Sequence, residues 1–171
     1  MSAKNKEKRS PLGVICNIVG MLIIILVIVL CLMLTTPRLM GMNSYVVVSG
    51  SMEPSIPVGS LVISEDVNPA SLEPGDVIVF YESSRGSTPI THRVVENDTE
   101  NGEIITKGDA NEQNDFDPIR YNNVIGKEKL HVPYLGYIAS PLSTLMGKIS
   151  VALLLIAAYL LTRITGRKEQ A

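Results

Sequence analysis

Cysteine and aromatic residues are scarce in this chain. Its two cysteines, Cys16 and Cys31, both fall in one apolar run near the N-terminus. Fifteen residues apart on a helix, they stand about 22 Å from each other at roughly 1.5 Å per residue, too far to bridge. The middle of the chain therefore holds no disulfide. Aromatic residues make up 5% of the chain although 46% is hydrophobic, so the excess is aliphatic, and it concentrates at the two ends. Charge of either sign is modest: the net charge is −2 and the pI is near 5.7. That balance argues against nucleic-acid binding, which wants a basic face. With only two histidines, His92 and His131, each is informative.

Charge is wholly missing from Ser10 to Pro37, where the centre reads Met-Leu-Ile-Ile-Ile-Leu-Val-Ile-Val-Leu. A bilayer core needs about 20 apolar residues in a helix. The run exceeds the 7–15 apolar residues usual in a cleaved signal peptide, and Thr35, Thr36 and Pro37 follow it rather than a small-x-small cleavage site. The expectation is an uncleaved transmembrane anchor over 12–36. Near the C-terminus, fourteen uncharged residues lie between Lys148 and Arg163, which is short for a span. Extension back to Leu142 gives enough length and takes in Lys148, whose amine can snorkel to the interface. Ser140-Pro141 reads as a helix N-cap followed by proline at the first helical position. A second transmembrane helix over 140–162 is expected, with an apolar helix lying in the interface as the alternative. Lys4, Lys6, Lys8 and Arg9 precede the first span, and Arg163, Arg167 and Lys168 follow the second. The excess of positive charge puts the tails, 1–11 and 163–171, in the cytoplasm and the middle, 37–139, outside. Arg38 mildly opposes this.

Helical periodicity is absent from the middle, and so are repeats and low-complexity tracts. Tyr45–Val48, Leu61–Ile63, Val77–Tyr81, Ile90–Val95 and Glu103–Thr106 read as strands. Asn97-Asp98-Thr99-Glu100-Asn101-Gly102 reads as a hairpin loop ending in glycine. Val124-Ile125 and Leu130-His131-Val132 suit edge strands. The fold class is thus mainly β: a small antiparallel domain flanked by apolar helices.

Three clusters in that domain could carry chemistry. At Ser49-Gly50-Ser51-Met52-Glu53-Pro54 a valine strand ends in a turn, where glycine can expose a hydroxyl and aim backbone N–H groups at a developing oxyanion. The same residues also make an ordinary surface turn. No Gly-x-Ser-x-Gly elbow is present, which disfavours an α/β-hydrolase esterase. Thr91-His92-Arg93 offers an imidazole that could take a serine proton near neutral pH, since a free imidazole titrates near 6.5. A half-buried strand histidine is the plainer account. His131, in Leu-His-Val-Pro, reads as structural. The stretch from Lys107 to Pro118 is rich in side chains that bond turns, and Asp109, Asp115 and Asp117 are all candidates to orient a histidine. Asn97-Asp98-Thr99 fits a glycosylation acceptor. Met40, Met42 and Met52 suit either lipid contact or packing.

Taken together, these stretches resemble the type I signal peptidases, peptidase family S26. Ser49–Pro54 is similar to the family's nucleophile box, Gly75-Asp76-Val77-Ile78-Val79-Phe80 to its Gly-Asp-Ile-Val strand, Thr91-His92-Arg93-Val94 to its general-base box, and Lys107-Gly108-Asp109-Ala110-Asn111 to its Gly-Asp-Asn box. They occur in family order over about residues 40–136, and Val132–Gly136 resembles the segment that closes the domain. Many bacterial relatives carry lysine where this chain has His92, so the resemblance is to the endoplasmic-reticulum, archaeal and spore-former subgroup. It implies Ser51 as nucleophile, His92 as base, Asp115 as the third member, Asp109 as a supporting carboxylate, and Ser49 as an aid to the Ser51 backbone N–H in the oxyanion hole. No metal and no organic cofactor is implied. The implied activity is removal of N-terminal signal peptides from secreted preproteins at the outer face of the cell membrane. Its partners would be the signal peptides, the lipid bilayer and the secretion translocon, with no nucleic acid. A protease confined to a few biofilm, pilin-like or spore precursors is the near alternative, and a non-catalytic membrane adaptor the distant one.

Overall fold

The computed structural model of the chain describes residues 11–82 and 88–167, with side chains as far as Arg163. Lys4, Lys6, Lys8, Arg9 and Lys168, and the Arg167 side chain, on which the expected topology rests, lie outside the described residues. Two compact units divide the chain: Thr35–Pro141, and Met1–Leu34 with Leu142–Ala171.

The first unit carries an antiparallel, curled sheet of seven strands among the described residues. They are β1 (Asn43–Val46), β2 (Leu61–Glu65), β3 (Val77–Tyr81), β4 (Pro89–Asp98), β5 (Glu103–Lys107), β6 (Ile119–Arg120) and β7 (Val124–Val132), in the order β1-β2-β7-β3-β4-β5-β6. The unbroken apolar run Val77–Phe80 explains the sheet's centre. Alternate residues of a strand point to opposite faces, so such a run must be covered on both. Val77 and Val79 pack with Met52, Ile56 and Val62, while Ile78 and Phe80 pack with Val94, Ile104 and Ile119. Burying one side chain of this size contributes about 1.5–3 kcal/mol, so these clusters account for much of the domain's stability. Met52 is 1% exposed and belongs to this packing, not to a lipid-facing surface.

The expected edge strands at 124–125 and 130–132 are one nine-residue strand, β7, in the interior of the sheet between β2 and β3. The charges between them mislead. Lys127 pairs with Asp76 at 2.6 Å, Lys129 pairs with Glu65, and His131 Nδ1 lies 3.1 Å from Glu128. A central strand tolerates charge when neighbouring elements supply its partners. His131, beside Glu128, is tied into the sheet opposite Val62.

One inward hydroxyl among the described residues lacks a partner. Ser64 is wholly buried on β2 and its Oγ makes no hydrogen bond. A buried, unbonded hydroxyl costs free energy. Ser64→Ala is expected to stabilise the chain by about 1 kcal/mol, read as a higher melting temperature of the detergent-solubilised protein. An unchanged or lower value would show that Ser64 Oγ is satisfied.

Asn97, the candidate glycosylation acceptor, is bonded at both ends of its amide. Nδ2 donates to Pro69 O at 2.9 Å and Leu72 O at 2.8 Å, and Oδ1 accepts from the Tyr121 hydroxyl at 2.7 Å. It staples β4 to the segment before β3 and to the turn before β7. In the folded domain this nitrogen serves the fold rather than standing free as an acceptor. Asn97→Ala strands two carbonyls and a hydroxyl, and is expected to cost about 2–3 kcal/mol in thermal stability. A loss below about 0.5 kcal/mol, the range of an ordinary surface change, would contradict the staple.

A short helix, α2 (Leu135–Ser143), closes the unit. It meets the strands through two glycines. Gly136 N–H donates to Gly59 O at 2.8 Å, and a Cβ on Gly59, whose φ is +83°, would run into the Tyr137 ring. Only glycine suits both that backbone and that contact. Ser140-Pro141 is not a helix start, because α2 runs through it. The next helix begins at Leu145, where Thr144 is the cap: its Oγ1 accepts from Gly147 N–H at 3.0 Å, and its carbonyl from Lys148 N–H at 3.0 Å.

The second unit pairs α1 (Pro11–Leu39, which runs on into the first unit) with α3 (Leu145–Arg167). Gly20 lets them approach: a Cβ there would lie 2.8 Å from Thr162 Cγ2 and 3.0 Å from the Ala158 carbonyl oxygen. Small residues serve this purpose where apolar helices pack in lipid. Pro11–Leu39 and Leu145–Arg163 are both long and apolar enough to cross a membrane, with mean hydropathies of 3.3 and 2.0. Ile15, Leu22, Leu26, Leu32 and Leu153 are each more than half exposed. An apolar surface of that extent suits association with a membrane.

Candidate active site

Beyond β1 the chain continues extended through Val47, whose N–H and C=O pair with Ser60 O and Gly59 N–H at 2.9 and 2.8 Å. It then turns. Glu53 N–H bonds Gly50 O at 3.0 Å and Ile56 N–H bonds Met52 O at 2.8 Å. Met52 and Ile56, both buried, pin this turn to the core. Ser51, immediately before Met52, is thereby held at a fixed place. Ser49 Oγ lies 3.3 Å from Ser51 Oγ.

His92 sits on β4 opposite Ile78, is 8% exposed, and meets the Phe80 ring edge-on at 6.2 Å between centroids. Its Nε2 lies 3.0 Å from Ser51 Oγ, and its Nδ1 lies 2.6 Å from Asp115 Oδ2. An ionised carboxylate only accepts, so the Nδ1 proton faces Asp115. That leaves Nε2 as acceptor for the Ser51 hydroxyl.

Asp115 lies in the loop between β5 and β6. Thr106 fixes it twice: Asp115 N–H donates to Thr106 O at 2.8 Å, and Thr106 Oγ1 donates to Asp115 Oδ2 at 2.6 Å. The loop is also tied to the serine itself, since Ala110 N–H donates to Ser51 O at 2.9 Å. A Cβ on Gly108 would stand 2.5 Å from that same carbonyl oxygen, so close an approach demands glycine.

Asp109 is elsewhere. It forms a two-point ion pair with Arg93, Nε to Oδ1 at 2.8 Å and Nη2 to Oδ2 at 2.6 Å. Arg93 Nη1 also donates to Gly75 O at 2.7 Å. The Arg93 guanidinium, helped by a Ser55 hydrogen bond, outweighs burial and holds the Asp109 carboxyl below its usual range. Asp117 is exposed and takes no part in the bonds around His92. The sequence reading singled out Ser49, Ser51, His92, Asp109 and Asp115 but not Thr106, Phe80 or Arg93. Thr106 had one legible signal: with Ile104 it occupies the inward positions of β5, where a hydroxyl needs a partner.

A serine hydroxyl, an imidazole and a carboxylate in one hydrogen-bonded line can do the chemistry of a serine hydrolase. Comparison with known proteins gives the family. The model of the family described as signal peptidase, peptidase S26, matches residues 18–98. Signal peptidase I W of Bacillus subtilis is 34% identical over 120 residues, covering 64% of this chain and 62% of that protein. The signal peptidase complex catalytic subunit SEC11C of Homo sapiens is 33% identical over 103 residues, covering 54% of this chain and 53% of that one. The catalytic subunit SEC11 of Zygosaccharomyces rouxii is 34% identical over 129 residues, covering 64% of this chain and 75% of that one. The chain belongs to the signal peptidase family, peptidase S26. It spans 62% of the length of the Bacillus relative and 53% of the human one.

Proposed function

We propose that the chain is a serine endopeptidase that removes N-terminal signal peptides from secreted preproteins. The observation that carries this reading is the line Ser51–His92–Asp115, at 3.0 and 2.6 Å, in a member of the signal peptidase family. Ser51 Oγ attacks the scissile carbonyl while His92 Nε2 takes its proton. The carbonyl oxygen becomes an oxyanion, stabilised by the Ser51 backbone N–H with help from the Ser49 hydroxyl. As the tetrahedral species collapses, the C–N bond breaks. His92 returns the proton to the amine, which leaves as the N-terminus of the mature protein. Water, deprotonated by His92, then hydrolyses the ester between Ser51 and the signal peptide. Asp115 keeps the Nδ1 proton in place and stabilises the imidazolium that forms. Asp109 acts through the fold by anchoring the loop that carries Asp115.

The proposed organisation has cytoplasmic tails at both ends, spans within α1 over 12–36 and within α3 from Leu145 onward, and an extracytoplasmic catalytic domain between them that includes α2. The bilayer is its immediate environment and the translocon a partner that would deliver substrate. The direct test is cleavage of a preprotein by the detergent-solubilised chain and by Ser51→Ala. The variant is expected to leave the preprotein intact, and equal processing by the two would overturn the reading.

A further inference from the structure

The carboxylate paired with His92 sits on a loop, not on a strand. A loop carboxylate can turn about its own side-chain bonds, so a 2.6 Å bond to His92 needs something else to hold it. We propose that Thr106 is a positioning residue of the site, whose buried hydroxyl shares Asp115 Oδ2 with His92 Nδ1 and locks the carboxylate in the orientation that serves the imidazole. This rests on the reading of Ser51, His92 and Asp115 as the catalytic line.

The geometry supports it in three ways. Thr106 binds Asp115 by main chain and side chain at once, at 2.8 and 2.6 Å, so neither the backbone position nor the carboxylate rotation is free. Thr106 is 0% exposed and pairs in register with Val94, two residues beyond His92 on the same strand. One strand pair therefore fixes both ends of the His92–Asp115 bond. Finally, packing does not ask for a hydroxyl there. Ile104, the other inward position of β5, joins the apolar cluster of Val94 and Ile119, and valine matches the shape of threonine. A hydroxyl at such a position is costly unless bonded, and its bond is to Asp115. The carboxylate accepts, so the threonine donates.

Thr106→Val and Thr106→Ser in the full-length, detergent-solubilised chain test this. The first readout is the proton resonance of the His92 Nδ1–H, assigned in histidine-labelled protein with His131→Gln, since these are the only two histidines. The resonance is expected to lie far downfield, to move upfield in Thr106→Val and to stay in Thr106→Ser. The second readout is preprotein cleavage. In Thr106→Val, kcat is expected to fall about tenfold to a hundredfold, the range for losing a hydrogen bond to a charged group, with KM within about twofold. Thr106→Ser should recover most of that loss. Thr106→Ala, which cannot overpack the site, carries the same expectations should the valine variant not fold. An unmoved resonance in the variants lacking the hydroxyl, an unchanged kcat, or a serine variant as impaired as valine would overturn the proposal. If wild type and Ser51→Ala cleave alike, it is the endopeptidase reading that falls. The resonance still decides whether Thr106 positions Asp115.

Discussion

His92→Ala is expected to lower kcat for preprotein cleavage by about six orders of magnitude, as far as Ser51→Ala, and the double variant is expected to lose no more than either alone. The reason is that in the proposed mechanism Nε2 and Oγ act on one proton. At 3.0 Å they share a single hydrogen bond, and the hydroxyl is a weak nucleophile until Nε2 removes that proton. Without the base, Ser51 keeps its proton. Without the serine, His92 can at best assist water. Neither partial site retains half of the step. The cleavage that remains in each variant would come from the backbone and side-chain contacts that bind substrate and oxyanion, which both variants keep. Strictly multiplicative losses in the double variant would mean that the two residues act independently. That would contradict the hydrogen-bonded line on which the proposed function rests. His92→Lys is expected to lose as much as His92→Ala, since a longer, flexible amine does not occupy the place of a ring wedged against Phe80.

Much of the domain is legible in the chain because burial writes itself as pattern. Val77–Phe80 reads as a strand covered on both faces, and it is one. The glycine-ended loop 97–102 reads as a hairpin, and β4 and β5 flank it in register, Asp98 opposite Glu103. What failed were elements whose meaning depends on partners far away in sequence. Lys127, Glu128 and Lys129 look like a solvated edge until Asp76 and Glu65 are brought alongside. Ser140-Pro141 has the chemistry of a helix start, but α2 already begins at Leu135, with Gly136 N–H bonded to Gly59 O, and Thr144 takes the capping role. At the site, the boxes around Ser51 and His92 stand out locally. The carboxylates do not, because Asp109, Asp115 and Asp117 sit in one loop of similar composition. Their separation is three-dimensional: Thr106 draws Asp115 under His92, while Arg93, the very next residue on β4, claims Asp109. The residues alone do not contain that information; the resemblance to the family is what names Asp115 ahead of Asp109.

That division of labour makes the two aspartates separable by experiment. Asp115→Asn is expected to lower kcat about 10³- to 10⁴-fold with little change in melting temperature. An asparagine can turn its NH₂ toward Nδ1, which then accepts. The imidazole carries its proton on Nε2 instead and can no longer receive one from Ser51. The imidazolium formed during attack also loses its counter-charge. Asp109→Asn touches none of these atoms. Its cost falls on stability, about 1–2 kcal/mol at neutral pH, kept modest because the Arg93 side chain is 36% exposed although Asp109 is only 15% exposed. The sign with pH follows from the carboxyl being held below its ordinary value by Arg93. Its contribution is complete above the unfolded value near 3.9 and disappears as pH falls through the lower folded one. The gap in melting temperature between wild type and Asp109→Asn is therefore expected to stay constant from neutral pH to about pH 5 and to close below about pH 4. Thermal melts between about pH 3 and 7, set beside cleavage rates at one neutral pH, read both effects. An Asp109→Asn chain that melts like wild type yet loses as much kcat as Asp115→Asn would reverse the assignment. It would make Asp109 the carboxylate that serves His92.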